Sequence, residues 1–213
     1  MSSVPIPSDR SRVHQNLRSE VAGGYTLNVK PIATALTLLV SVVIFPMSSG
    51  RSEVPEIQTP QLERHIFDLV NKQRLGAKRT AMKWDERLAR IARAHSEDMV
   101  RRRFFDHMNP DGDDPTARGK RAGYSCLRTI DARAYREGLA ENLFDEPRFS
   151  RVRISGAQRT YDWNTTEDIA RQSVDGWMHS RGHRHNILEN SYQQSGVGMA
   201  LSVERVYITQ LFC

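Results

Sequence analysis

The chain is poor in the residues that define several classes of protein. Only two of its 213 residues are cysteine, which excludes a scaffold built on many disulfides. Its 13 glycines and nine prolines are too few for a low-complexity or collagen-like chain. The sequence repeats at no fixed period, which excludes a solenoid or a propeller. The 38% hydrophobic and 26% charged content instead suits one globular domain with some additional sequence.

The net charge of +6 raises the question of a polyanionic partner. Four of the 31 bases and two of the 25 acids lie in residues 1–30, which leaves a net +4 on the remainder. The densest basic runs, residues 101–103 and 118–121, are interleaved with acids and have neither an aromatic platform nor zinc-finger spacing. We therefore interpret both runs as solvated surface and predict no nucleic-acid partner.

The first 58 residues predict an export signal followed by a linker. Residues 1–30 form a basic arm without an apolar period, and we expect this arm to be disordered. Residues 31–47 contain the uncharged run from Ile32 to Phe45, which is shorter than the roughly 20 residues that span a bilayer. The run has the length of a signal-peptide core, so a cleaved signal peptide and an uncleaved anchor in the membrane both stay open, with a buried core helix as the third alternative. Either export interpretation leaves residues 48–58 as a linker and places the rest outside the cytoplasm.

Residues 59–213 predict a domain of mixed helices and strands. Thr59 as N-cap and Pro60 after it begin a helix that Gly76 ends. A second helix is predicted from about Asp85 to Arg102, and a third begins in residues 164–167 and ends at Gly182. Turn and loop residues fill positions 109–123, and alternating apolar residues from 197 to 208 predict an antiparallel hairpin. Helices beside a small antiparallel sheet define an α+β fold.

Two histidine patterns in these helices have simple interpretations. His95 lies on the apolar stripe of the second helix, which favours a structural histidine with a hydrogen-bond partner over a catalytic one. His179 and His183 have the i, i+4 spacing of a zinc pair. No Glu follows His179 and Gly182 interrupts the helix, so a thermolysin-like zinc site is not favoured.

A series of short motifs follows in one order along residues 61–213. Together they resemble the CAP superfamily, or SCP domain, of cysteine-rich secretory proteins, antigen 5 and plant pathogenesis-related class 1 proteins, in its bacterial extracytoplasmic branch. The most specific of these motifs are Phe104-Phe105-Asp106-His107, Pro110-Asp111-Gly112, Glu141-Asn142, Trp177-Met178-His179-Ser180, Gly182-His183-Arg184-His185-Asn186, Gly196-Val197-Gly198 and Tyr207-Ile208-Thr209-Gln210.

The resemblance implies a three-layer α-β-α sandwich with a small antiparallel sheet and an open cleft. Carried over residue by residue, the cleft residues are His107, Glu141 and His183, with Ser180 where the wider family has a second Glu. Ala140 also stands where the family commonly has Gly. Residues 125–138 and 145–164 are longer than the usual bacterial spacers, so this protein has its own cleft rim.

The cleft residues permit two kinds of chemistry. His107, His183 and Glu141 would form an open site for a divalent cation, zinc most of all, with water in the remaining position. Without Glu at position 180, the affinity for the metal should be weak and pH-dependent. Ser180 could instead act as a nucleophile with His183 as base and Glu141 as orienting acid, but no oxyanion hole is evident and local hydrogen bonding by Ser180 is favoured.

Two further groups of residues have structural interpretations. Trp177, Tyr124 and Phe105 are interpreted as core packing rather than as a ligand box. Cys126 and Cys213 are compatible with a disulfide in an oxidising compartment, but spacing alone leaves open whether their Cα atoms lie within bonding range.

We therefore predict an exported binding module whose cleft takes a divalent metal, a small molecule, or a lipid or cell-envelope ligand. Its catalytic candidates, if it is an enzyme, are Glu141, His183 and Ser180. The alternatives are a metal-dependent hydrolase of peptides or cell-wall material and a purely structural role for the His and Glu cluster. Fold resemblance alone does not choose among the three.

Overall fold

A computed structural model describes residues 54–129 and 134–213. The predicted arm, the export segment and most of the linker lie outside the described residues. None of the helices in the described part of the chain is both long and apolar enough to cross a membrane. Helices and strands follow in the order α1 Thr59–Gly76, β1 Lys83–Trp84, α2 Glu86–Arg102, α3 Pro115–Arg121, β2 Leu127–Thr129, β3 Tyr135–Glu137, β4 Ala140–Pro147, β5 Phe149–Ser155, β6 Gln158–Trp163, α4 Thr166–His179, α5 Arg181–Leu188, β7 Gln194–Leu201 and β8 Arg205–Phe212.

The central sheet has four strands in the order β1-β7-β8-β4. The short strand β1 runs parallel to β7, whereas β7, β8 and β4 pair antiparallel. The predicted C-terminal hairpin is confirmed as β7 and β8. Strand β4 is an edge strand, so one side of it is free to form a site.

Helices cover both faces of this sheet. On one face, α1, α4 and α5 pack against alternate residues of β7 and β8 in a core that includes Ile66, Trp177, Val197 and Ile208. On the other face, α2 packs over Leu211 in a smaller core. The predicted α+β sandwich is therefore confirmed.

Two glycines of β7 allow α2 to lie unusually close to the sheet. A Cβ at Gly198 would lie 2.0 Å from the Arg93 amide nitrogen, and one at Gly196 would lie 2.2 Å from the Ala89 amide nitrogen. Ser96 on α2 also donates a hydrogen bond to the Gly198 carbonyl at 2.9 Å. This contact between backbones fixes α2, and with it His95, relative to the sheet.

The helix starts follow local capping chemistry. Asp85 caps α2 through the Arg87 and Leu88 amides, and Thr165 caps α4 in a capping box with Asp168. The predicted N-cap of α1 is wrong by one residue, because Gln58 occupies that position and Thr59 already lies in the helix.

The predicted end of the third helix is also wrong. Helix α4 ends at His179, and Ser180 is both its C-cap and the N-cap of α5. Gly182 therefore lies inside α5, a helix that the periodicity did not indicate. The extended backbone at Ser180 separates the two helices, so His179 and His183 lie on different helices.

The loop predicted through residue 123 contains α3, which is a further correction. The Asp114 side chain accepts from the Ala117 amide, and Pro115 occupies the first turn. Only Gly119 is buried in this helix, so no apolar repeat was present to reveal it.

Cys126 and Cys213 form a disulfide, with Cα atoms 5.6 Å apart. The bond joins the end of β8 to the segment before β2. For its sequence separation of 87, the chain-entropy estimate is about 4–5 kcal/mol of stabilisation. The two long spacers carry antiparallel strand pairs, β2 with β3 and β5 with β6.

Candidate functional site

The candidate site lies along the edge strand β4, where helices from both faces of the sheet meet. Glu141 pairs with Leu211 in the register and faces α2, whereas Asn142 pairs with Gln210 and faces α5. The Asn142 amide donates to the His183 carbonyl at 3.2 Å. Asn186 in turn donates to Asn142 Oδ1 at 3.0 Å. These bonds hold α5, which carries His183, against the strand that carries Glu141.

Both carboxylate oxygens of Glu141 are bound by cationic groups. Its side chain is only 1% exposed. Oε1 accepts from His107 Nδ1 at 2.9 Å, and Oε2 accepts from Arg118 Nη2. Arg118 also donates through Nη1 to the His107 carbonyl at 2.7 Å and to the Asp113 carbonyl at 2.9 Å. Arg118 therefore holds both Glu141 and the backbone of His107 in place.

His107 is the solvent-facing member of this group, with 53% of its side chain exposed. The hydrogen bond to Glu141 raises the pKa of His107 above its usual value. Because Nδ1 is used in that bond, Nε2 is the nitrogen that remains for a ligand.

His183 has the opposite electrostatic character. Burial lowers its pKa, and the nearby charge of His107 lowers it further. Its ring has no hydrogen-bond partner among the described residues, in contrast to its backbone carbonyl. The site thus combines a histidine that favours the charged form with one that favours the neutral form.

His95 is buried beneath the site, as its position on the apolar stripe predicted. Its Nε2 donates to the Asp106 carbonyl at 3.1 Å and lies 4.0 Å from Glu141 Oε1. Nδ1 is buried without a hydrogen-bond partner in the described part of the chain. Burial lowers the pKa of His95, so the neutral ring is favoured at this position.

The arrangement of side chains differs from the predicted cation site, in which His107, His183 and Glu141 were all direct ligands. In residues 54–129 and 134–213, no three His, Cys, Asp or Glu side chains are grouped closely enough to hold a metal. Both oxygens of Glu141 accept hydrogen bonds from His107 and Arg118, which compete with a cation for the buried carboxylate. The residues fit a cation better if the two imidazoles bind it and Glu141 orients His107, as carboxylates commonly do for metal-bound histidines.

The hydrogen bonds of a Ser180–His183–Glu141 relay are not formed between the described residues. The Ser180 side chain caps neither adjoining helix, although its backbone amide bonds to Gly176 and Trp177. The Glu141 carboxylate bonds to His107 rather than to His183. The predicted local hydrogen bond of the Ser180 side chain is likewise not seen there.

Sequence reasoning missed Arg118 as a member of the site. Its basic run was interpreted as solvated surface, yet only 10% of the Arg118 side chain is exposed. Phe105 is a second correction, because it is 48% exposed rather than packed in the core. Trp177 and Tyr124 are buried as predicted. No local pattern pointed to Arg118, because its partner Glu141 lies 23 residues away in the sequence.

A family model for the cysteine-rich secretory protein family, CAP, matches residues 67–212. The helices on both faces of a small sheet and the His-Glu edge site fall within this match. The chain therefore belongs to the CAP family, as the order of motifs predicted.

Two proteins of Bacillus subtilis (strain 168) are similar in sequence. The uncharacterized membrane protein YlbC is 28% identical over 176 residues, covering 80% of this chain and 39% of its own length. The uncharacterized protein YkwD is 27% identical over 136 residues, covering 64% of this chain and 41% of its own. The chain thus spans about two fifths of each of these relatives.

Solved structures share the fold at low identity. An extracellular protein with an SCP domain from Bacillus anthracis has a TM-score of 0.51 at 22% identity, covering 75% of this chain and 44% of its own. An outer surface protein of Borrelia burgdorferi has a TM-score of 0.54 at 14% identity, covering 75% of this chain and 97% of its own. These similarities extend to the fold alone.

Proposed function

We propose that this CAP domain is an exported binding module whose edge site takes a polar ligand, with a divalent cation as the simplest case. The observation that carries the proposal is the state of Glu141. Its buried carboxylate is bound on both oxygens, while the His107 imidazole beside it is half exposed. A general base for hydrolysis must lie within hydrogen-bond reach of the reacting water, whereas the Glu141 side chain is only 1% exposed and both of its oxygens already accept hydrogen bonds. Binding of a ligand through the two imidazoles does not require Glu141 to be accessible.

The two imidazoles are the groups that would hold a cation. His107 would bind through Nε2 while Glu141 fixes its orientation, and His183 is already favoured in the neutral form that a metal needs. A bound zinc ion would supply a Lewis acid with coordination positions open to a ligand. The raised pKa of His107 opposes binding at low pH, because the ring must lose its proton first.

Calorimetric titration of Zn²⁺ into the full-length protein tests this proposal. The variant His107→Ala/His183→Ala should lose the binding heat. A matched control, His65→Ala/His185→Ala, removes the half-buried His65 and the exposed His185 and should keep the heat. Equal heats from wild type and the His107/His183 variant would contradict the proposal.

Export is part of the same proposal and rests on the apolar run of residues 32–45, in line with the extracellular description of one structural relative. We expect a protease added to cells whose outer envelope is opened but whose cytoplasmic membrane is intact to digest the domain, whether it is released, periplasmic or held on the membrane by an uncleaved anchor. Protection of the domain until the cells are lysed would show a cytoplasmic location and overturn the export.

A further inference from the structure

A concave basic surface lies beside α5 and away from the Glu141 carboxylate. It consists of two adjoining hollows of about 710 and 470 Å³ that share Glu189 and Asn190 in their walls. We call this surface the arginine groove. Five arginines and one glutamate provide its charge: Arg79, Arg128, Arg136, Arg181, Arg184 and Glu189.

The arginines of the groove lack the ion pairs that other arginines of the domain form. Arg93, Arg118 and Arg205 each bind a carboxylate. Between described residues, no carboxylate is ion-paired with any of the five groove arginines. The carboxylate of Glu189 accepts from the Ser191 amide at 2.9 Å and leaves most of the positive charge uncompensated.

Two of these arginines are held together despite their repulsion. Arg128 on β2 lies directly opposite Arg136 on β3 in the antiparallel register. Like charges at opposed positions destabilise a strand pair. Arg128 is also fixed in place, since it donates to Ser191 Oγ at 3.1 Å and its guanidinium lies 4.5 Å from the centroid of the Tyr192 ring. Arg128 is therefore a positive charge that is held in place before any anion binds.

The other hollow runs along helix α5. Helix α5 begins at Arg181, and no side chain caps its first turn. Arg181 and Gly182 of this first turn line the hollow together with Arg184. Guanidinium groups bind phosphate through paired hydrogen bonds, as they also bind carboxylate.

We propose that the arginine groove binds a flexible polyanion that carries phosphate groups along a chain. Two adjoining hollows suit a flexible chain that can follow them both. A flat layer of lipid headgroups would instead contact a convex surface. Tyr192, the aromatic ring in contact with Arg128, is only 8% exposed and offers no face for base stacking. The polymer is therefore expected to be a polyphosphate or a phosphodiester of small alcohols rather than a nucleic acid.

Binding of fluorescent inorganic polyphosphate to the full-length protein in a neutral detergent tests this inference. The variant Arg181→Glu/Arg184→Glu reverses two exposed charges of the groove. The control, Arg151→Glu/Arg159→Glu, makes the same change of charge on exposed residues of β5 and β6. We expect the groove variant to bind polyphosphate at least about tenfold more weakly. The plot of log K against log salt concentration should be less steep by about 0.7 for each lost phosphate contact. The control should bind nearly as wild type.

Several outcomes would overturn the inference. Equal losses in both variants would indicate attraction to net charge alone. Full competition by orthophosphate at equal phosphate concentration would reduce the groove to a single-phosphate site. Displacement by phosphatidylglycerol micelles at equal phosphate concentration would identify a lipid surface, and tighter binding of oligothymidylate than of polyphosphate would identify nucleic acid. Thermal unfolding of each variant verifies that it is folded.

Discussion

Two glutamates, Glu63 and Glu141, have equally buried side chains and different partners. Each side chain is 1% exposed and each binds an arginine. Glu63 accepts from the Arg93 guanidinium at 2.9 and 2.5 Å and from the Met199 amide at 3.0 Å. These partners keep their protons at all physiological pH values, so Glu63 joins α1, α2 and β7 permanently.

Glu141 differs in that one partner can lose its proton. Its second cationic partner is the half-exposed imidazole of His107. The first pair therefore stabilises the fold, while the second couples a buried charge to solvent and to any ligand of His107. The chemistry and exposure of the partners, rather than burial of the carboxylate, therefore distinguish a candidate site from a structural ion pair.

The largest expected effect is on Glu63. The variant Glu63→Ala should lose about 3–5 kcal/mol of unfolding free energy, because Arg93 and the Met199 amide lose a buried acceptor. Urea denaturation measures the loss. Glu167→Ala, which removes an exposed ion pair with His65, should change the stability by only about 0–1 kcal/mol. A loss at Glu63 as small as the loss at Glu167 would contradict the structural role.

The next effect is expected at Arg118. Arg118→Met should lose about 2–4 kcal/mol, because Glu141 keeps His107 as a partner while its other oxygen becomes unpaired. The charge of Arg118 lowers the pKa of His107, so the same variant should raise that pKa. NMR titration of the His107 ring distinguishes this role from packing alone. An unchanged pKa would show that Arg118 does not act on the site.

A smaller loss of stability is expected for Glu141→Gln, about 1–2 kcal/mol, since the amide oxygen can still accept one hydrogen bond. Its main effect should be on His107, whose pKa should fall because its carboxylate partner is gone. The same NMR titration measures this shift. Glu63→Gln is the matched control and should leave the titration of His107 unchanged.

The smallest expected effect is a difference in pH dependence. The folded-state pKa of His107 is raised, so the stabilisation from its pair with Glu141 is fully present below the unfolded pKa of about 6.5 and is lost as the pH rises through the folded pKa. The stability gap between wild type and Glu141→Gln should therefore be larger at pH 5.5 than at pH 8.5. His95 adds to the same difference between the two pH values. Burial lowers its pKa, but the Glu141 charge raises it, so replacing Glu141 with Gln makes the protonation of folded His95 at low pH more costly.

Urea denaturation at the two pH values measures this gap. The gap for Glu63→Gln should vary less, since its partners do not titrate in this range. Equal variation for both variants would remove the distinction between the two glutamates.

The parts of the fold that could be predicted are those set by interactions between residues close together in the sequence. Asp85 and Thr165 cap their helices through residues two or three positions away, and the alternation in β7 and β8 directly reports their two faces. The short helix α3 has no apolar repeat, so its local signs were the cap at Asp114 and Pro115 in the first turn. The division at Ser180 depends on how α4 and α5 pack against β4, which no periodicity records.

The sequence by itself determined the CAP family, the capped helices, the C-terminal hairpin and the identity of His107, Glu141 and His183 as residues of interest. Tertiary structure decided their chemistry. It brought Arg118 to Glu141, joined Cys126 to Cys213 and left the arginines beside α5 without carboxylate partners in the described part of the chain. The physical reason is that helix periods and caps arise from neighbours within about four residues, whereas charge compensation depends on groups that only the folded chain brings together.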